Sequence, residues 1–118
     1  MDLSSWMSRL GFGKSASVRT LKPAEFRNEM DRSKTKLVID VREPDEYKSG
    51  FIQGAKNIPL SQLEQRLGEI PKDRDVLLYC RSGMRSKSAA RILSKHGYTR
   101  LAHLQGGVSS WDGKLGRR

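Results

Sequence analysis

The run Val76-Leu77-Leu78-Tyr79 is continuously apolar and passes directly into Cys80-Arg81-Ser82-Gly83-Met84-Arg85-Ser86. An uninterrupted apolar run of this length reads as a buried strand. Behind it, Ser86 to Leu93 has helical composition, with Ala89, Ala90 and Leu93 on one face. The chain is thereby committed to a strand, a tight loop and a helix. Cys80, its only cysteine, stands at the strand end. Turns that feed a helix N-terminus expose unpaired backbone N–H groups that favour an anion, and Arg81 and Arg85 add full charges. A thiol in that setting is expected to ionise more readily, and the thiolate is the nucleophilic form. A lone cysteine is more commonly a small buried hydrophobe. Strand exit, glycine in the loop and cationic neighbours together argue for the reactive role here. For the arginines the plainer alternatives are an exposed loop cation at Arg81 and a solvated first-turn residue at Arg85; the loop context favours function for both.

A chain of 118 residues suits one domain with a single core. One cysteine excludes an intramolecular disulfide and a Cys-rich zinc site, and His96 and His103 lie at no recognisable ligand spacing, so neither metal nor cofactor is implied. An unpaired, activated thiol suits a reducing compartment, and no apolar run is long enough for a membrane span or a secretory segment. The cytoplasm is the expected location. The formal net charge of +10 attracts phosphates, acidic proteins and small anions. Basic residues are spread without interleaved aromatics, and no nucleic-acid motif is present. Drawing an anionic substrate to the cationic loop is the simpler use of the charge; nucleic acid and membrane are not expected partners.

Residues 1–17 stand apart, because the stretch from Gly11 to Ser17 is a Gly/Ser-rich connector without periodicity, and before it Leu3, Trp6, Met7 and Leu10 fall on one helical face. That short amphipathic stretch fits a strap on its own domain, a frayed tail, a partner-binding segment or a membrane-surface contact. From Val18 onward strand and helix signals alternate, which predicts an α/β domain with a mostly parallel sheet over 18–115 and a tail at 116–118. Strands are expected at Val18 to Leu21, Leu37 to Ile39, Ala55 to Ile58, Val76 to Tyr79 and Leu101 to Leu104. Pro23 opens a helix bearing Phe26 and Met30. Pro44-Asp45-Glu46 reads as the acidic first turn of a short helix stopped by Gly50. Ser61-Gln62-Leu63-Glu64 reads as a capping box opening a helix to about Leu67. The helix after Cys80 ends at His96-Gly97, with Gly97 as a left-handed cap. Gly106-Gly107 permits close backbone approach, and Val108 and Trp111 belong to a closing helix.

Several landmarks then line up: Asp40-Val41-Arg42-Glu43, Glu46-Tyr47, the run from Gly50 to Leu60, the Cys80 to Arg85 loop, Gly97-Tyr98, and Leu104-Gln105-Gly106-Gly107 with Trp111. In this order they resemble the rhodanese-like domains over nearly all of Val18 to Leu115. The resemblance implies a central parallel sheet of four to five strands flanked by helices, with the Cys80 loop at the carboxyl ends of the strands. It also implies sulfur transfer. Cys80 would take the outer sulfur of a donor such as thiosulfate, become a persulfide, and pass that sulfur to cyanide or another thiol, with a sulfur-relay protein as a further partner. The loop of Arg81, Ser82, Gly83, Met84, Arg85 and Ser86 would hold the persulfide and the donor's oxygens. Asp40 and Arg42 match a family motif but read as a structural ion pair bracing the neighbouring loops, and Trp111 reads as core. The family commonly has histidine where this chain has Phe51, so altered local hydrogen bonding without loss of activity is expected there.

Two other readings compete. Cysteine phosphatases and arsenate reductases have related loops, but the phosphatase relatives carry one more residue between cysteine and arginine and commonly a histidine where Tyr79 stands. Non-catalytic rhodanese modules, which serve regulation or partner binding, typically lack the cysteine that this chain retains.

Overall fold

The computed structural model describes residues 18–117; the amphipathic face of Leu3, Trp6, Met7 and Leu10 lies outside the described residues. In chain order the elements are β1 (Val18–Leu21), α1 (Pro23–Arg32), β2 (Lys36–Asp40), α2 (Pro44–Ser49), β3 (Phe51–Ile52), β4 (Lys56–Asn57), β5 (Asp75–Tyr79), α3 (Met84–Lys95), β6 (Leu101–Leu104) and β7 (Leu115–Gly116). Five strands form one parallel sheet in the order β1-β6-β5-β2-β4. The strand that precedes Cys80 is therefore the central one.

A central parallel strand is covered on both faces, which is why β5 can be apolar at every position from Val76 to Tyr79. Alternate side chains separate the two halves of the core. Ile39, Val76, Leu78 and Cys80 pack with Ala89, Ala90 and Leu93 of α3. Val38, Leu77 and Tyr79 pack on the other side with Phe26 of α1 and Tyr47 of α2. Leu77 and Leu78 are 1% and 0% exposed, so each contributes about 1.5–3 kcal/mol of burial. The switch from period two to period 3.6 happens across the Cys80 loop, and it places α3 on the face where the sulfur points.

The helix ends follow from their sequences. Pro23 and Pro44 open α1 and α2, and in each the acidic side chain three residues after the N-cap accepts the cap N–H: Lys22 N to Glu25 Oε1 at 2.8 Å, Glu43 N to Glu46 Oε1 at 2.9 Å. At the end of α3, Tyr98 N–H bonds the Leu93 carbonyl and Gly97 N–H the Ser94 carbonyl, both at 3.1 Å, a Schellman closure.

Three expectations need correction. The segment 61–67 is not an α-helix but part of two 3-10 stretches, Leu60–Gln62 and Glu64–Glu69. Ile58 and Leu60 donate backbone bonds to Asp40 and Val41, which holds the chain extended through Pro59. Leu63 must then be fully buried at once, and Arg66 leaves helical φ/ψ while its guanidinium bonds Gln62 and Glu69. The strand expected over 55–58 pairs only at Lys56–Asn57. The closing helix is a 3-10 turn at Gly107–Ser110, after which β7 returns to pair antiparallel with β3, a ribbon that the alternation pattern does not announce.

Among the described glycines, Gly107 makes the closest approach to main-chain atoms. Its φ is +60°, and a Cβ there would stand 2.4 Å from the Arg81 carbonyl carbon and 2.5 Å from the Cys80 oxygen. With no Cβ, the turn docks on the loop, Val108 N–H bonding the Cys80 carbonyl at 2.8 Å and Ser109 N–H the Arg81 carbonyl at 3.0 Å. Gly54 is a matched control, with φ +90° but nothing within 4 Å of a Cβ. Gly54→Ala should cost only the left-handed backbone strain, about 1–2 kcal/mol. Gly107→Ala should cost that and the steric clash, lowering the thermal midpoint by at least twice as much. Equal shifts for the two variants in a calorimetric scan would refute the docking argument.

Candidate active site

Cys80 follows directly from β5, and residues 81–83 turn the chain into α3. The residue is 1% exposed, so its sulfur sits at the base of the loop. Gly83 N–H donates to Cys80 Sγ at 3.0 Å. A main-chain donor aimed at sulfur is what a core cysteine packed among apolar side chains lacks, and it stabilises negative charge there. Ser86, fully buried on the first turn of α3, lies with its Oγ 3.7 Å from the sulfur and donates to the Gly83 carbonyl at 3.2 Å. The rim of the loop is open: Arg81, Ser82 and Met84 are exposed. Arg81 makes no ion pair among the described residues.

Arg85 is held. Its Nη1 and Nη2 bond Glu46 Oε1 and Oε2 at 2.7 and 2.9 Å, a two-pronged pair between the start of α3 and the first turn of α2. The Arg85 guanidinium holds the Glu46 carboxyl down at about 2. Glu46 is also the residue that caps α2, so the start of that helix fixes the position of a loop arginine. The sequence reading places Glu46 in an acidic first turn and among the family landmarks, without a role beside the loop. A carboxylate three residues after an N-cap, in a chain whose Cys80 loop carries two arginines, is the signal that would find it.

Asp40 and Arg42 are not in the loop but beneath its neighbours. Arg42 Nη2 bonds Asp40 Oδ2 at 2.7 Å and the Gly50 carbonyl at 2.6 Å, and its Nε lies 3.0 Å from Asp40 Oδ1. Asn57 Nδ2 ties the carbonyls of both residues, each at 2.9 Å. Burial works against the Arg42 charge, yet the hydrogen bonds and attraction of Asp40 hold its pKa above the usual value. The pair braces the segments after β2 and α2. Phe51 stacks on Tyr47 with ring centroids 4.4 Å apart, and the local polar contact is made instead by Ile52 N–H donating to the Tyr79 hydroxyl at 2.9 Å. Trp111 packs edge-on against Phe26 at 6.0 Å and under Arg27 at 5.0 Å.

His103 is a member of the site that sequence reasoning missed, because a lone histidine in a strand carries no spacing signal. It points from β6 to the face of α3, with Nδ1 3.1 Å from Ser86 Oγ and Nε2 3.1 Å from Thr20 Oγ1. The ring thus orients the hydroxyl that neighbours the sulfur.

A central strand thus ends in a buried cysteine, closed over by an N–H donor and a cationic loop at the carboxyl end of a parallel sheet. The chain belongs to the rhodanese-like family: the family model described as the rhodanese-like domain matches residues 22–114. It is 47% identical over 98 residues to the uncharacterized protein YqhL of Bacillus subtilis, covering 83% of this chain and 75% of that one. A sulfurtransferase of Allochromatium vinosum is 45% identical over 75 residues, which span 64% of this chain and 70% of the relative. The crystal structure of a rhodanese-like domain protein from Staphylococcus aureus superposes with a TM-score of 0.76 at 27% identity, over 85% of this chain and 98% of that one. These relatives support a sulfurtransferase or sulfur-relay role.

Burial, helped by the Lys87 charge, lowers the pKa of His103 from its ordinary 6.5. The folded state therefore binds fewer protons than the unfolded one once the pH drops below about 6.5, and stability falls until the pH passes the depressed folded value. His103→Gln, which keeps groups able to reach Ser86 and Thr20, should flatten the loss of thermal midpoint between about pH 7 and pH 5. The Glu46 pair acts only in the carboxylate range below. An unchanged pH slope in the variant would show that His103 is not the titrating group.

Proposed function

We propose that this protein is a sulfurtransferase that carries sulfane sulfur on Cys80, accepting it from thiosulfate or a persulfide and delivering it to an external thiophile such as cyanide or a thiol. The observation that carries the reading is the Gly83 N–H 3.0 Å from Cys80 Sγ, under a rim that bears a free Arg81. In the first half-reaction the Cys80 thiolate attacks the outer sulfur of thiosulfate. An S–S bond forms, the bond to the sulfonate sulfur breaks, and its electron pair leaves as sulfite. In the second, the acceptor attacks the outer sulfur of the persulfide and Cys80 departs as thiolate. Each species on sulfur is anionic, so one N–H donor and nearby guanidinium groups serve both halves. No metal or cofactor enters, and the resolving thiol comes from another molecule because Cys80 is the only cysteine.

Intact mass spectrometry after incubation with thiosulfate should show the gain of one sulfur atom, lost again with cyanide. Cys80→Ser should show neither the gain nor turnover; a serine variant that still turns over would refute the mechanism. Aryl phosphate hydrolysis should be negligible, and a Cys80-dependent rate rivalling sulfur transfer would reassign the site to the phosphatases.

The arginines should separate kinetically. Arg81 is free to bind the sulfonate equally before and during bond breaking, so Arg81→Ala should raise KM for thiosulfate about tenfold, about 1.4 kcal/mol, with kcat little changed. Arg85, held by Glu46 at the start of α3, is the guanidinium assigned in this reading to the charge that grows on the departing sulfite. Arg85→Ala should lower kcat as well as raise KM. Parent-like kinetics of Arg85→Ala would confine the site to Cys80, its backbone cradle and Arg81.

A further inference from the structure

One face of α3 has a composition that neither the core nor the loop chemistry requires. Met84, Lys87, Arg91 and Lys95 recur at helical spacing, all exposed, directly opposite the buried face of Ser86, Ala89, Ala90 and Leu93. Met84 is 78% exposed, one of only two exposed large hydrophobic residues among the described residues. Lys87, Arg91 and Lys95 are four apart, where like charges oppose helix formation, and Lys87 sits in the first turn against the helix dipole. The helix has no acidic residue to offset them. Most other arginines are paired, as Arg19 with Glu29, Arg27 with Asp112 and Arg100 with Asp75, whereas Arg91 has no ion pair among the described residues, and Lys87 and Lys95, like most lysines there, have none either. The stripe runs about 18 Å along the helix and begins at the rim of the Cys80 loop, beside Arg81.

We propose that this face of α3 is a docking surface for an acidic protein that exchanges sulfur with Cys80. This rests on the sulfur-carrying reading above. The sulfur is buried at the loop base, so a macromolecular thiol reaches it only on an extended segment held over the rim, and the rim is where the stripe starts. The charge complement of three unpaired cations is a row of carboxylates, and exposed Met84 offers an adaptable apolar contact beside them. Aromatic side chains on which bases would stack are absent from the face, which favours a protein over a single-stranded nucleic acid.

The probe is a synthetic Asp/Glu-rich peptide with one cysteine, fluorescently labelled for anisotropy and unlabelled as sulfur acceptor. Lys87→Glu/Arg91→Glu is compared with Lys34→Glu/Arg74→Glu, which lies before β2 and β5 at the opposite ends of the strands. Both variants fall by four charges from the parent's +10. The first also places glutamate in the first turn of α3 and four residues before Lys95, changes that favour the helix. At low salt Lys87→Glu/Arg91→Glu should weaken peptide binding and sulfur delivery to the peptide at least tenfold, while Lys34→Glu/Arg74→Glu changes both less than threefold. Thiosulfate-to-cyanide turnover should stay within threefold in each. Equal weakening by the two variants would overturn the proposal, leaving only general charge attraction. So would an RNA oligonucleotide that binds the stripe more tightly than the peptide and displaces it. Stripe-dependent peptide binding with no sulfur passed to the peptide or to cyanide would support the docking face and remove the sulfur-carrying reading instead.

Discussion

Everything at the site depends on two main-chain carbonyls. Those of Cys80 and Arg81 are taken up by the N–H groups of Val108 and Ser109. With the carbonyls turned toward that segment, the loop is free to present an N–H to sulfur, and Gly83 does so. Had the carbonyls no partners there, the loop would have to turn them toward the sulfur or the solvent, and the anion-receiving polarity would be lost. Gly107 is the residue that allows this docking, twenty-seven positions from Cys80 in sequence and in contact with its backbone. The α3 half of the cradle is therefore positioned by packing, and the β6 half by backbone complementarity.

Electrostatics supply a second layer in two grades. Asp40 and Arg42 are almost wholly buried, and removing one partner of such a pair costs on the order of 3–5 kcal/mol because the other charge is left uncompensated. Their role is to fix the chain between β2 and β3, including the entry to α2. Glu46 then follows from the α2 cap, and Arg85 from Glu46. The half-exposed Glu46–Arg85 pair contributes little to stability by itself. Its effect is geometric, since a guanidinium held by two bonds loses its freedom to swing.

The strands of the parallel sheet and the strand-loop-helix turn at Cys80 were legible in the sequence because they rest on local signals: an apolar run, a helix-period face, glycine after the last turn of α3. What was not legible has a common physical cause. The 3-10 path from Leu60 to Glu69 is imposed by backbone bonds to Asp40 and Val41, residues some twenty positions earlier, which override the capping box read at Ser61-Gln62-Leu63-Glu64. The β3–β7 ribbon is two residues on each side, too short for any alternation to register. His103 gains meaning only when β6 lies beside β1 and faces α3. Glu46 was visible as a residue of an acidic first turn, but its contact with Arg85 needs the fold to bring α2 to the loop.

Burial of the sulfur imposes an asymmetry on any reaction that loads and unloads it. With Cys80 1% exposed, the unloaded sulfur can be met only by a slender terminal atom, and thiosulfate offers one, its outer sulfur projecting from the sulfonate. On the sulfur-carrying reading, loading then moves the reactive atom one S–S bond outward, toward the rim where Arg81 and Ser82 are exposed. The acceptor need not enter as far as the donor did. A larger nucleophile is thereby met nearer the rim in the second half-reaction than a donor is in the first, so a macromolecular acceptor reaches the loaded sulfur with less of its chain inserted than a donor needs to reach the bare thiolate.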